Sequence, residues 1–229
     1  MIRLLFVGDV MGSAGRRAVI TQLESVVDRE RVDFVVANVE NLAGGFGITA
    51  KVLEELDPLP IQVWTTGNHV WDKKEGVPLL DAHPSLLRPA NYPAGNPGRG
   101  WCVEETASGV PVAVINLQGQ ALMAPIDNAF RCADRVLEEI HAGHPEVRVI
   151  LVDMHAEATS EKQGMGWYLD GRVTAAGDDH QALVLEPLDD GLAGVEAIHA
   201  QQALGLGSAG IVPAELVGNR AVRGHHVDQ

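Results

Sequence analysis

Short apolar runs recur along the chain, and each of them ends in a cluster of polar residues. Within the runs the apolar residues are largely continuous, which is typical of strands that are buried on both faces of a sheet. The runs cover residues 2–7, 34–37, 61–64, 112–115 and 147–152. We therefore predict a buried strand at each of these five places.

Two segments between these runs have the periodicity of an amphipathic helix. Apolar residues recur every three or four positions in residues 16–28 and again in residues 134–141. Asp127 or Asn128 is the candidate N-cap of the second helix, because a short polar side chain can accept a backbone hydrogen bond there. Strands that alternate with helices predict an α/β fold with a largely parallel sheet.

The polar clusters occupy the position at which α/β proteins bind ligands, beyond the carboxyl ends of parallel strands. They bring carboxylate, amide and imidazole groups together, and this mixture of donors suits manganese, iron or zinc. Each residue alone also has a structural explanation, such as a turn or a capped backbone group. As a set they predict a transition-metal site, and the residues concerned are Asp9, Glu40, Asn41, Asn68, His69, Asp153 and His155.

Asp9 on its own is open to two interpretations. It follows a predicted strand directly and could bind a cation, but a lone Asp in this position more often caps the helix that follows. The glycines Gly8, Gly12 and Gly15 match neither the dinucleotide-binding fingerprint nor a phosphate-binding P-loop. The case for cation binding by Asp9 therefore depends on the other polar clusters.

The composition limits the classes of ligand. The chain has 229 residues, of which 46% are hydrophobic and 21% are charged, as expected for one α/β domain or at most two small ones. A formal net charge of −14 argues against the binding of long nucleic acid, which needs clustered Lys and Arg. A small phosphorylated substrate is compatible with this charge, because a bound cation can hold its phosphate.

The same sequence favours a cytoplasmic protein without a membrane partner. No apolar stretch approaches the roughly 18 residues of a membrane span, and the first apolar run is too short for a secretory signal. Cys102 and Cys132 do not form a CxxC pair, so we expect two buried or half-buried thiols. A homo-oligomer is compatible with these observations.

The polar motifs, in their order and spacing, resemble those of the calcineurin-like metallophosphoesterases, and more closely those of the bacterial YmdB-like branch. The motifs are GD at 8–9, NVEN at 38–41, GNH at 67–69 and DMHAE at 153–157. Further similar stretches are RPAN at 88–91, INLQG at 115–119 and AEATSEKQGMGWY at 156–168. The resemblance implies a metallophosphoesterase domain in residues 1–176, followed by a divergent tail in residues 177–229.

This resemblance implies two β-sheets packed face to face between layers of helices (α/β/β/α) and a site for two transition-metal ions, iron or manganese. It implies phosphodiesterase activity on a small nucleotide of the 2′,3′-cyclic type. The cations, about 3.5–4 Å apart, would clamp the phosphate and activate a water between them for in-line attack. His69 would protonate the leaving oxygen or stabilise charge in the transition state, and the implied metal ligands are Asp9, Glu40, Asn41, Asn68 and His155.

The chain departs from the family pattern near residue 177. The family has a G-x-H-x-H motif there, whose two histidines bind metal, whereas residues 177–182 are GDDHQA. His180 matches the first histidine and is the sixth implied metal ligand, and Ala182 replaces the second histidine. All ten aromatic residues occur at or before Tyr168, and we expect the closing strands of the family to be missing or altered. Two alternatives follow: an inactive or impaired member with a nucleotide-binding or regulatory role, and a nucleotide-binding module that needs no metal.

Overall fold

Two β-sheets lie at the centre of the computed structural model, which describes residues 2–177, 182–184 and 195–199. Its strands, in chain order, are β1 (Ile2–Val7), β2 (Phe34–Asn38), β3 (Val63–Thr65), β4 (Trp101–Glu105), β5 (Pro111–Gln118), β6 (Val149–His155), β7 (Ala175–Gly177), β8 (Ala182–Val184) and β9 (Val195–His199). The first sheet has the order β3-β2-β1-β9, and the second has the order β4-β5-β6-β7-β8. Within the described strands, every pair of the first sheet is parallel, whereas β4 and β8 are antiparallel edges of the second.

The helices of the described residues connect these strands. They are α1 (Gly12–Glu30), α2 (Ala50–Glu54), α3 (Leu79–Ala82), α4 (Ala129–Gly143) and α5 (Thr159–Leu169), together with a 3-10 helix at Asn68–Trp71. The predicted helix at 16–28 begins one turn earlier, at Gly12, and ends before Arg31, which has a left-handed backbone (φ 55°). Asn128 is the N-cap of α4, since its side-chain oxygen accepts a hydrogen bond from the Arg131 backbone N–H.

Alternation along the strands divides the apolar side chains among three core layers. On β1, Leu4 and Phe6 face the second sheet, whereas Leu5 and Val7 pack on the outer side with residues of α1. Residues of α4 and α5 cover the outer face of the second sheet. Each sheet is therefore buried on both faces, which explains the continuous apolar runs and confirms the predicted α/β/β/α arrangement.

Of the two alternatives for the closing strands, missing or altered, absence does not hold for two segments of the tail, which form strands. The strand β8 pairs with β7, and β9 pairs with β1 over the register Ile2↔Val195 to Phe6↔His199. The physical reason is that β1 is buried, so the backbone N–H and C=O groups along both of its edges need hydrogen-bond partners. For these two segments the structure describes only the backbone, and His180 lies outside the described residues.

Two further expectations concern thiols and membranes. Cys102 and Cys132 are buried free thiols, and burial raises the pKa of Cys102 to about 12. Burial raises the pKa of Cys132 as well, so both thiols are protonated and unreactive at neutral pH. Across the described part of the chain, none of the helices combines the length and the apolar character that a membrane crossing needs.

Replacement of Asn128 by Ala should destabilise the protein by about 0.5–2 kcal/mol, because the first turn of α4 loses its capping acceptor. Asp127→Ala is the matched control, since Asp127 is exposed and contributes its backbone groups to the hydrogen bonds with Asn91. We expect the control to lie within about 0.5 kcal/mol of wild type. Urea unfolding measures both, and equal losses in the two variants would contradict the assignment of the cap.

Candidate active site

The carboxyl ends of strands from the two sheets meet at one edge of the molecule. Asn38 at the end of β2 donates a hydrogen bond through Nδ2 to Asp153 Oδ2 on β6, at 3.2 Å. Both side chains are fully buried, so this contact joins the sheets in a place without bulk water. It brings the polar clusters that follow β2 and β3 against the cluster at the end of β6.

Two side chains that follow other strands converge on His155, near the end of β6. Its Nε2 atom lies 2.9 Å from Asn68 Oδ1 and 3.3 Å from Glu40 Oε1. Glu40 is only 2% exposed, and its second oxygen accepts a hydrogen bond of 3.0 Å from the backbone N–H of His69. A carboxylate, an amide oxygen and an imidazole therefore form one buried cluster.

Asn41 connects Asp9 to this cluster. Its Nδ2 atom donates to Asp9 Oδ2 at 2.8 Å and makes a longer contact of 3.4 Å with Glu40 Oε1. Its side-chain oxygen is buried and has no hydrogen-bond partner among the described residues. The backbone oxygen of Asn41 accepts hydrogen bonds from Gly12 and Gly45, which holds the residue in place.

The interpretation of Asp9 as a helix cap is wrong. The N-cap of α1 is Met11, and no side-chain capping bond is found there within the described residues. Asp9 lies two positions before this N-cap, and its carboxylate is directed to Asn41 instead. Gly12, the first residue of α1, has φ 55°, and its N–H donates to the backbone oxygen of Asn41 at 2.9 Å.

Gly67 makes the close approach of Glu40 and His155 possible. A Cβ atom at this position would lie 2.3 Å from His155 Cδ2 and 2.5 Å from Glu40 Oε2. Real Cβ atoms do not come so close to other heavy atoms, so any side chain here would displace the cluster. Because the glycine of the GNH motif has no side chain, Glu40 and His155 can approach each other there.

His69 lies at the rim of the cluster and not inside it. Its side chain is 35% exposed, and its Nδ1 atom is 2.8 Å from Asp72 Oδ2. Asp72 was not among the residues predicted from the sequence. Its spacing of three residues from His69 could have indicated it, because residues three apart lie above each other in a 3-10 helix and Asp72 is the C-cap of this one.

Tyr92 is a further polar group beside the site that the motifs did not indicate. Its hydroxyl donates to Gln118 Oε1 at 3.1 Å, and its ring packs edge-on against Trp71 at 5.2 Å. Burial raises the pKa of the Tyr92 hydroxyl, and the negative charges of Glu40 and Asp72 act in the same direction. Tyr92 is therefore a neutral hydrogen-bonding group at neutral pH.

The buried cluster has donor atoms of the kind that a metal ion requires. Carboxylate oxygens, amide oxygens and an imidazole converge there, and the side-chain oxygen of Asn41 still needs a partner. Within the described residues, no group of three His, Cys, Asp or Glu side chains forms a metal site by itself. Two of the five described candidate ligands, Asn41 and Asn68, are amides, and the sixth candidate, His180, lies outside the described residues.

A cleft of about 780 Å³ lies away from these strand ends, where β4 turns into β5. Its lining includes Glu104, Glu105, Glu146 and His144. Three carboxylates at one cleft repel a phosphate group, because like charges at close range disfavour binding. The cleft is therefore a poorer candidate for a phosphorylated ligand than the buried cluster.

Two facing sheets between layers of helices, with polar side chains gathered at the strand ends, define the α/β fold of the metallophosphoesterases. A family model described as YmdB-like protein matches residues 5–182, and the chain belongs to this family. The resemblance inferred from the motifs is thereby confirmed.

Similar proteins come from several bacteria. A 2′,3′-cyclic-nucleotide 2′-phosphodiesterase of Bacillus subtilis strain 168 is 42% identical over 179 residues, which are 78% of this chain and 66% of that protein. A crystal structure of a hypothetical protein from Thermus thermophilus has a TM-score of 0.69 and 39% identity, covering 77% of this chain and 68% of that one. A crystal structure described as a novel phosphatase from Mycoplasma pneumoniae also has a TM-score of 0.69, with 27% identity and coverage of 78% and 69%. The chain thus spans just under two thirds of the Bacillus protein.

Replacement of Gly67 by Ala should destabilise the protein by about 1–3 kcal/mol, because the added methyl group overlaps His155 and Glu40. Gly95→Ala is the matched control: Gly95 is exposed, and a Cβ atom there would meet nothing within 4 Å. We expect the control to lie within about 0.5 kcal/mol of wild type. Urea unfolding of both variants is the measurement, and a Gly67→Ala midpoint equal to that of the control would contradict the close approach.

Proposed function

We propose that the protein is a metal-dependent phosphodiesterase whose substrates are small nucleotides of the 2′,3′-cyclic type. The observation that carries the proposal is the convergence of Glu40 and Asn68 on His155 Nε2, within 3.3 Å. The activity named for the Bacillus relative supports the choice of substrate. Water would add to the phosphorus and the bond to the 2′ oxygen would break, which leaves a nucleoside 3′-phosphate.

The proposed cofactors are two transition-metal ions, iron or manganese. The residues proposed to hold them are Asp9, Glu40, Asn41, Asn68, His155 and, from the family resemblance alone, His180. Support comes from the mixture of oxygen and imidazole donors and from the buried side-chain oxygen of Asn41, which needs a partner. When bound, the metal ions supply Lewis-acid activation of the phosphate and of the attacking water.

Residues of the chain supply the negative charge of this site and orient its ligand atoms. The carboxylates of Asp9 and Glu40 provide the negative charge that offsets the cations, and Asn41 Nδ2 contacts both of them, at 2.8 Å and 3.4 Å. The backbone N–H of His69 fixes the orientation of the Glu40 carboxylate. Because the cluster is mostly buried, these interactions act at a lower effective dielectric constant than in water and are correspondingly stronger.

His69 is proposed to deliver a proton to the leaving oxygen. The imidazole of a histidine is the side chain that most often serves as a general acid in catalysis. Its Nδ1 atom contacts Asp72, which leaves Nε2 for the substrate and sets the orientation of the ring. Its exposed fraction of 35% gives the substrate access to it.

A second candidate function is that of an impaired or inactive family member with a nucleotide-binding role. Ala182 favours it, because this residue stands where the family has a metal-binding histidine and its methyl group has no donor atom. Backbone pairing with Gly177 places Ala182 at the start of β8, beside the strand end of β7. Metal content and turnover of bis-p-nitrophenyl phosphate with added Mn²⁺ separate the two functions.

Replacement of Glu40 by Gln should sharply lower both bound metal and turnover of bis-p-nitrophenyl phosphate. The substitution keeps the size of the side chain but removes the negative charge that offsets the cations. Glu24→Gln is the matched control, because Glu24 is an exposed residue of α1. Metal analysis of purified protein is the primary measurement, and unchanged metal content in Glu40→Gln would refute the ligand assignment.

Replacement of His69 by Ala should lower turnover by roughly 10²–10⁴-fold while leaving bound metal nearly unchanged, because the proton donor is lost. The hydrogen bond from residue 69 to Glu40 uses the backbone and persists in the variant. The rate loss should be smaller for p-nitrophenyl esters, whose leaving group needs little protonation.

The control for this variant is His83→Ala, which removes another exposed histidine. Rates are measured on two substrates whose leaving groups differ in pKa. An equal rate loss on both substrates would exclude the role as an acid. Metal loss in parallel with rate loss would instead indicate that His69 only orders the turn.

A further inference from the structure

A tight glycine-rich loop at residues 43–47, here called the Phe46 loop, follows the site residues of β2. The Ala43 N–H donates to Gly47 O at 2.9 Å and closes the loop, and the Gly45 N–H donates to Asn41 O at 3.1 Å. Gly44, Gly45 and Gly47 have φ values of 77°, 96° and 68°, which glycine adopts without strain. The backbone of this loop is therefore held in one conformation by its own hydrogen bonds.

The Phe46 loop is also packed against the segment that carries His69. A Cβ atom on Gly47 would lie 2.6 Å from Lys73 Cγ and 3.2 Å from the His69 backbone oxygen. This close approach fixes the distance between the loop and the rim of the site. The position of Phe46 relative to His69 is thus set by the backbone and not by the side chain of Phe46.

Phe46 itself is an exposed aromatic residue at this rim. Its exposed fraction is 55%, whereas Phe6 and Phe34 are buried between the sheets and Phe130 packs against the core on the second sheet. Its ring centroid lies 5.4 Å from that of His69, at an interplanar angle of 67°. An edge contact of this kind leaves the face of the Phe46 ring uncovered, next to the proposed proton donor.

We propose that Phe46 binds the nucleobase of the substrate by stacking, an inference that rests on the proposed function. His69 would serve the 2′ oxygen of the ribose, and the base is attached to the next carbon of the same ring. A fixed aromatic ring beside His69 would therefore lie near the face of the base. Because stacking is tolerant of base identity, Phe46 favours nucleotides over base-free phosphodiesters without selecting strongly among bases.

The test compares adenosine 2′,3′-cyclic phosphate with ribose 2′,3′-cyclic phosphate, which has the same reacting bond but no base. Stacking contributes about 1–3 kcal/mol per base, so Phe46→Ala should raise KM for the nucleotide by about 5- to 150-fold. KM for the base-free substrate should not change, and kcat should change little on either. Phe46→Leu, which keeps apolar bulk without a ring, should behave like Phe46→Ala, and Phe46→Trp should retain the wild-type KM.

Trp167→Ala is the matched control, because Trp167 is another exposed aromatic residue (60%), near the end of α5. We expect it to leave both KM values unchanged. Equal effects of Phe46→Ala on the two substrates, or wild-type behaviour of Phe46→Leu, would overturn the proposal. A change of oligomeric state in light scattering with unchanged KM would also overturn it, since Phe46 would then lie between copies of the chain.

Binding of adenosine 3′-phosphate, measured by calorimetry, separates this inference from the proposed function. Loss of affinity in Phe46→Ala with retention in Phe46→Trp supports stacking even if wild-type protein hydrolyses neither cyclic phosphate, and in that case only the proposed function fails. Equal affinity in wild type and Phe46→Ala overturns the inference whatever the activity.

Discussion

The buried hydrogen bond between Asn38 and Asp153 is the contact on which the site depends. Neither side chain reaches water, and a buried polar group is costly unless it is hydrogen-bonded, so the ends of β2 and β6 must meet at this level. Glu40 follows Asn38 by two residues, and His155 follows Asp153 by two residues. Within β6 two positions return the strand to the same face, so His155 points the same way as Asp153, and the turn after β2 brings Glu40 Oε1 to 3.3 Å from His155 Nε2.

The site is built at a cost to stability that the surrounding structure offsets. Glu40 is a buried carboxylate, Gly67 has no side chain because a Cβ atom there would overlap His155 and Glu40, and Phe46 is exposed although it is aromatic. Each of these features conflicts with the rules that favour a stable core, and such conflicts concentrate at functional sites. The compensation lies in the three apolar layers that hold both sheets. The strands hold the polar groups near one another, and the hydrogen bonds among these groups complete their arrangement.

Much of the fold could be predicted from the sequence, because a continuous run of apolar residues indicates a strand that is buried on both faces. Five predicted strands were found, and Asn128 was one of two candidate caps for the predicted helix that became α4. The beginning of α1 was predicted one turn too late, because Gly12 and its neighbours have no apolar periodicity. The strand β9 was not predicted, since pairing with β1 is a requirement of the partner strand and leaves little trace in local sequence.

The site residues also divide into features that the sequence could predict and features that it could not. The sequence by itself determined which donor groups follow which strands, because the polar clusters after four apolar runs contain Asp9, Glu40, Asn68 and His155 in motifs of recognisable spacing. Only the tertiary structure decided that Asp9 contacts Asn41 instead of capping α1, that Asp72 contacts His69 and that Gly67 makes room for His155. The physical reason is that chemical identity is local to a residue, whereas a distance between two strand ends depends on how the whole of both sheets packs.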